Sequence, residues 1–394
     1  MKKIRVLVTG ATGFLGGNII AALQMQPSVT PVAACRQREK LARGFSGEVR
    51  AGDLLDPLYR RAVVEDIDVV CHAGTWASMW NHATLERERF YQPARDLVDQ
   101  AVAHGVKRFI QASTVAIATV ARNGHPIDDF SPTRYTGFWP HLDYLIDLDA
   151  YMHANSQRGT QMVTLRLGHF IGAGNRLGLV PALVPRLKTR LVPWLAGGKK
   201  RLPLVAGSDL GHAFARAALA DKLDDYESFN ICGAEFPTLR EVIEHIASVA
   251  DCPTPLYSVP YPAGYLFGWL MEMLKPVLPG SSPFLTRSIV HLCENWVCAT
   301  DYAREKIGYS PARDWRIAVR EQADVRARMA RRVERFELDR LSDTDDVTTT
   351  QPPIYPADRR GRAGMREHFR AGRGDDSRVA RGVVVVLVGV QDLR

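Results

Sequence analysis

The sequence is short of several things, and each shortage excludes a class of protein. Six cysteines are scattered over 394 residues and none forms a CxxC pair. No Cys/His cluster has zinc spacing, so no metal site is expected. Dispersed free thiols suit a reducing compartment, and the expected location is cytoplasmic. The unusually apolar and aromatic stretch 257–280 is interrupted by Pro260, Pro262, Glu272, Lys275 and Pro276. It is too broken for the roughly twenty apolar residues of a spanning helix. Met1-Lys2-Lys3 opens like a secretory signal, but the apolar run behind it is broken by Arg5 and passes directly into a glycine turn. Excess charge is also scarce in the body of the chain. Between Asp358 and Arg381, eight arginines face four acidic residues, which accounts for half of the formal net charge of +8. Because the body of the chain carries little excess charge, the basic run reads as a solvated tail, and nucleic acid is not an expected partner. Finally, no lysine occurs between Lys107 and Lys188.

What is present begins at Ile4. The run Ile4 to Thr9 is rich in β-branched residues and reads as a buried strand. Glycines follow at Gly10, Gly13 and Gly16, and then an apolar helical run over Asn18 to Leu23. Strand, glycine turn and helix form the dinucleotide fingerprint. Gly10 permits the tight turn, Gly13 lets backbone approach a pyrophosphate, and Gly16 lets the helix lie on the strand. The N–H groups that open the helix then face the phosphates. Thr12 and Phe14, inside the turn, are expected beside the cofactor.

A second strand is expected over Val29 to Cys35. At its end the fingerprint calls for an acid that holds the ribose 2′-hydroxyl of NAD. The chain instead has Arg36, with Arg38 two residues on. A guanidinium matches a 2′-phosphate, so NADP(H) is favoured over NAD(H).

The TGxxGxxG spacing resembles the short-chain dehydrogenase/reductase superfamily, and later runs narrow the likeness to its extended, epimerase/dehydratase-like branch. Arg36 also looks like the arginine that reductases of the dihydroflavonol type carry. Gly52-Asp53-Leu54 resembles the adenine-contact segment. Ala73-Gly74, after a strand over Ile67 to His72, resembles the small residues that leave room for the cofactor. GVKRFIQAST, Gly105 to Thr114, resembles the run that ends in a substrate-facing hydroxyl. Thr114 is the choice for that role, with Ser113 beside it. Further matches are Leu165 to Asn175, Ser208 to Ala213, Ser228 to Gly233, Thr238 to Glu241 and Asp301 to Tyr309. Asp209 is expected to cap a helix, and Thr238 with Glu241 forms a capping box.

The resemblance implies an α/β fold: a doubly wound parallel sheet of the Rossmann type with a smaller C-terminal substrate domain. Residues 1–170 are expected to bind the dinucleotide and residues 171–330 mainly the substrate. A disordered basic tail over 341–394 ends in the valine-rich run Val383 to Val390. The implied activity is an NAD(P)(H)-dependent oxidoreductase acting on the carbonyl or alcohol of a small substrate. A nucleotide-sugar epimerase or dehydratase is the near alternative. The superfamily's proton chemistry uses Tyr-x-x-x-Lys on one helix face. Tyr144 matches the tyrosine by position, but Leu148 stands where the lysine belongs. His141 lies three residues before Tyr144 on the same face and reads as a partial cation or second proton donor beside it, or as an ordinary helix-start residue. A catalytically silent dinucleotide sensor or scaffold is therefore a second reading. The stretch 257–280 is a lid over an apolar substrate, an interfacial helix touching a membrane, or ordinary core. A homodimer is also compatible with the sequence.

Overall fold

The computed structural model describes residues 3–120, 124–277 and 283–325. Six strands come first: β1 Ile4–Thr9, β2 Val29–Cys35, β3 Glu48–Ala51, β4 Val69–His72, β5 Arg108–Thr114 and β6 Gln161–Leu167. Three short strands outside the main sheet follow: β7 His169–Ile171, β8 Trp194–Leu195 and β9 Leu204–Ala206. β10, Tyr226–Ile231, returns to the sheet, and β11, Ser258–Val259, pairs with β8. The sheet runs β10-β6-β5-β4-β1-β2-β3. Every pairing in it is parallel. The chain winds outward from β1 to β3 and then returns to β4 on the other side of β1. That reversal opens a crevice at the carboxyl ends of β1 and β4, where open α/β sheets bind ligands.

Helices α1 Phe14–Gln24, α2 Pro57–Val63, α3 Ala83–Glu86, α4 Gln92–Ala103 and α5 Pro140–Asn155 belong to the first half. A π-helical turn, Arg87–Tyr91, joins α3 to α4. The second half carries α6 Leu179–Lys188, α7 Gly207–Leu219, α8 Leu239–Val249, α9 Tyr261–Leu274, α10 Arg287–Leu292 and α11 Asp301–Ile307. A helical stretch over 315–325 closes the described chain. The sheet and its flanking helices share one apolar core, and a smaller one gathers Val180, Leu187, Trp194, Val242, Ile246, Trp315 and Val319.

Two contacts fix the frame. α1 and α7 lie so close that a methyl group on Gly211 would sit 2.2 Å from the Asn18 carbonyl oxygen. The buried Arg108 on β5 reaches the end of α7, where its guanidinium donates to the carbonyls of Ala217, Ala218 and Ala220 at 2.7–3.1 Å. Those carbonyls have no intrahelical partner, so a cation there satisfies both hydrogen bonding and the helix dipole.

Pro140 opens α5 and the capping box of α8 closes as read from the sequence. Asp209 does not cap its helix. α7 starts two residues earlier, and the Asp209 carboxylate accepts the backbone N–H groups of Ala312 and Arg313, both at 3.2 Å. The stretch 257–280 is not core where it is described. Gly264 and Gly268 are the only buried residues of α9, while Leu266, Phe267, Trp269, Leu270, Met273 and Leu274 are exposed. The expected tail, with Val383 to Val390, lies outside the described residues.

Candidate active site

The glycine turn is a cradle made of backbone. Gly10 has φ +63°, and a Cβ there would lie 2.9 Å from the Ala73 oxygen and the Gly74 nitrogen. A Cβ on Gly16 would fall 2.2 Å from the Gly10 oxygen. Gly13 precedes α1 and supplies no side-chain cap, so the first-turn N–H groups face outward for an anion. Thr12 follows in the same turn, half-buried, and the Phe14 ring lies 6.2 Å from that of Phe170. The residues present fit a dinucleotide, because glycines at Gly10 and Gly16 let the turn close against β4 and α1 pack on the turn, leaving the helix start to backbone N–H groups.

One hydroxyl ties the cradle to the neighbouring strand. Thr9 Oγ1 accepts the N–H groups of Ala73 and Gly74, at 3.1 and 3.0 Å. Its own hydrogen is then free to go to His72 Nδ1, 2.7 Å away. Burial pushes the His72 pKa down to about 4, which keeps the ring neutral, as an accepting Nδ1 requires.

Beside the cradle is an open pocket lined by Cys35, Arg36, Asp53, Leu54, Tyr59 and Gly74. Arg36 keeps 40% of its side chain exposed, 3.9 Å from Asp53 Oδ2. Arg38 is committed elsewhere, donating to the Val49 carbonyl at 2.8 Å. Of the two arginines, Arg36 is the one at the cavity. Asp53 does not cap α2. It accepts the Leu55 N–H, and Asp56 is the cap.

At the end of β5, Thr114 Oγ1 accepts the Ala116 N–H at 3.1 Å, and Ser113 Oγ is buried with no partner among the described residues. Tyr144 stacks on Tyr91, with centroids 5.0 Å apart. It lines a second and larger cavity, of about 580 Å³, with Trp80, Phe138, Asp147, Trp269 and Met273. The residues that line this cavity and those around the dinucleotide cradle form two separate sets. The acids of α5 are occupied elsewhere. Asp147 accepts from the Tyr135 hydroxyl, whose pKa it pushes up to about 12. Asp149 accepts from Thr164 and Tyr226 at 2.6 and 2.7 Å. Leu148 is fully buried. Among the described residues no group of three or more His, Cys, Asp or Glu is placed to hold a metal ion.

Glu86 gave no sequence signal, since Glu86-Arg87-Glu88-Arg89 reads as a solvated helix face. In the fold it is fully buried and paired with His141. A second imidazole lies on the other side. His291 Nε2 donates to the Ala116 carbonyl at 3.1 Å, and its Nδ1 is 3.5 Å from Glu294. His169 has a buried Nε2 without a partner among the described residues, and burial together with His291 lowers its pKa to about 4.

The pattern of the NAD-dependent epimerase/dehydratase family matches residues 6–232. The chain belongs to that family. It is thus an enzyme of the extended short-chain dehydrogenase/reductase type that works with a nicotinamide dinucleotide on a small-molecule substrate. Among its relatives, YbjS of Escherichia coli (strain K12) is 25% identical over 317 residues, covering 78% of this chain and 93% of that one. A 2-alkyl-3-oxoalkanoate reductase of Shewanella oneidensis is 23% identical over 327 residues, covering 78% and 83%. Among solved structures, MoeE5 in complex with UDP-glucuronic acid and NAD superposes with a TM-score of 0.63 at 17% identity, covering 82% of this chain and 99% of its own. That likeness concerns the fold. α5 itself carries no lysine, and Leu148 fills the position four residues after Tyr144.

Proposed function

We propose that the protein is an NADP(H)-dependent oxidoreductase that interconverts a carbonyl and an alcohol on a small apolar substrate. The observation that carries the cofactor choice is Arg36, exposed at the cavity mouth where an NAD site would carry an acid. Thr12, Gly13 and Phe14 open the helix toward the phosphates, Gly10 and Gly16 hold the turn, and Asp53, Leu54, Ala73 and Gly74 surround the adenosine half. A bound reduced dinucleotide supplies a hydride from its nicotinamide. Thr114, with Ser113, orients the substrate oxygen, and Tyr144 is the proton donor that spacing assigns.

The apolar wall of the larger cavity, Trp80, Phe138, Trp269 and Met273, supports an apolar substrate. The name of the Shewanella relative agrees with a ketone-bearing lipid-like compound. The exposed face of α9 is the surface we propose for contact with a lipid interface or a second copy, and vesicle co-sedimentation and sedimentation velocity tell these apart. Among the described residues no helix is long and apolar enough to cross a membrane.

NADPH and NADH titrations of the parent and of Arg36→Asp, followed by NADPH oxidation against a panel of apolar ketones and aldehydes, test the reading. NADPH preference with turnover supports it. Equal affinities remove the role of Arg36. Binding without any turnover favours the second reading, a silent dinucleotide sensor, which the buried Leu148 in the lysine position supports.

A further inference from the structure

Among the described residues, two buried imidazole nitrogens have no hydrogen-bond partner, Nε2 of His141 and Nε2 of His169. A buried polar atom left unpaired forfeits its hydration without compensation, so it calls for a function. The case is stronger for His141 because its other nitrogen is anchored. Nδ1 lies 3.1 Å from Glu86 Oε2, and the two side chains are 2% and 0% exposed. The second Glu86 oxygen accepts the Ser78 N–H at 2.6 Å, and the Ser78 carbonyl accepts from Trp139 Nε1 at 2.7 Å. The carboxylate therefore cannot turn away from the ring. The His141 ring packs on Phe90 with centroids 4.9 Å apart, and Phe90 lines the dinucleotide cavity. His141 stands in the first turn of α5, and α5 packs on the turn Val115–Ile117 that directly follows Thr114.

We infer that His141, held by Glu86, is the proton donor to the substrate oxygen, in place of the tyrosine that spacing suggests. This rests on reading the protein as an NADP(H)-dependent oxidoreductase and changes one residue within it. A tyrosine needs an ammonium beside it to exchange its proton near neutrality. An imidazole does so by its own chemistry, so a histidine donor makes the missing lysine unnecessary. Glu86 fixes the ring and balances the charge that the ring holds when doubly protonated, as an acid orients a base in hydrolytic triads. Nε2 is left to give or take the proton. In reduction, a hydride with its electron pair forms the new C–H bond at the carbonyl carbon. The C=O π pair moves to oxygen, the proton on Nε2 forms the O–H bond, and the ring recovers a proton from water. Oxidation runs the same transfers backward. Tyr144, stacked on Tyr91 in the wall of the other cavity, is then a substrate-contact residue.

The test compares His141→Ala, His141→Gln and Tyr144→Phe with the parent. The glutamine variant keeps an amide donor for Glu86 and so guards against a folding defect. Both His141 variants should lose about 10²–10⁴-fold in kcat with KM little changed, whereas Tyr144→Phe, in the substrate wall, should act mainly through KM and lose far less in kcat than either. NADPH affinity, read by fluorescence titration, should be unchanged in all. Free imidazole should restore part of the rate to His141→Ala and none to His141→Gln. Without cofactor or substrate, the ¹⁵N-imidazole spectrum should show a proton on His141 Nε2, and Glu86→Gln should shift both ring nitrogens. A bare Nε2 at the pH of turnover overturns the assignment. Unchanged kcat in His141→Gln also overturns it and leaves the oxidoreductase reading standing. A parent that binds NADPH but oxidises none of it with any carbonyl overturns both.

Discussion

The cradle around Gly10 and the larger cavity beside Tyr144 are built from different material. The first is backbone: two glycines whose added methyl groups would collide at 2.9 and 2.2 Å, and one threonine that satisfies two N–H groups. The second is papered with side chains, Trp80, Phe138, Tyr144, Trp269 and Met273, on elements that expose apolar surface. A backbone site tolerates few residues, because its shape is set by what is missing. A side-chain wall can be repapered without disturbing the fold. The cofactor half of such an enzyme thus stays recognisable while the substrate half drifts.

The sharpest way to break this contrast is Gly16→Ala. The new methyl would have to displace the Gly10 carbonyl, at a cost of about 3 kcal/mol or more. We expect a large fall in melting temperature and no measurable dinucleotide binding by calorimetry. Retained binding would show that the turn is softer than drawn. Next is acid. The folded pKa of His72 is depressed from 6.5 to about 4. The unfolded chain therefore takes up a proton first as pH falls. Stability from this group is complete above pH 6.5 and is lost progressively down to about pH 4, by about 3 kcal/mol. Chemical denaturation at stepwise pH should show that slope, reduced in His72→Gln. On the proposed reading, Arg36→Asp removes a charge-assisted contact to the 2′-phosphate worth about 1.5–3 kcal/mol. NADPH should weaken ten- to a hundredfold while the melting temperature of the free protein holds. The smallest effect on stability is expected from Trp269→Ser, within about 0.5 kcal/mol because the side chain is 40% exposed. It should raise KM for apolar substrates and leave cofactor affinity alone. A change in cofactor affinity would mean that the two cavities communicate.

The same contrast explains what could be read from the chain alone. The second strand ends where its apolar run ends, at Cys35, and the glycines announce the turn because local sterics dictate them. Pro140 and the Thr238–Glu241 box mark helix starts for the same local reason. Glu86 carries no such mark. Its burial depends on a ring 55 residues away and on the backbone of Ser78. Asp209 was readable as a helix-start acid, yet its partners lie more than a hundred residues on. The apolar letters of α9 announce burial, and the fold instead buries only its two glycines, against Leu195 and against the backbone at Thr286 and Arg287. Periodicity reports which face is apolar, and only tertiary structure reports what covers it.

The guanidinium of Arg108 has a mechanical consequence. It clamps the far end of β5 to the end of α7, and α7 is pressed against α1 without room for a methyl group. The strand that carries Ser113 and Thr114 and the helix that faces the phosphates are thereby parts of one rigid jig. The span between phosphate seat and hydroxyl pair is set when the chain folds, before any ligand arrives. α9 and α10 stand outside this jig: Gly268 and the ion pair of Glu272 with Arg287 tie them to each other, and Gly264 rests on Leu195 of β8, so adjustment to substrates of different length is left to them.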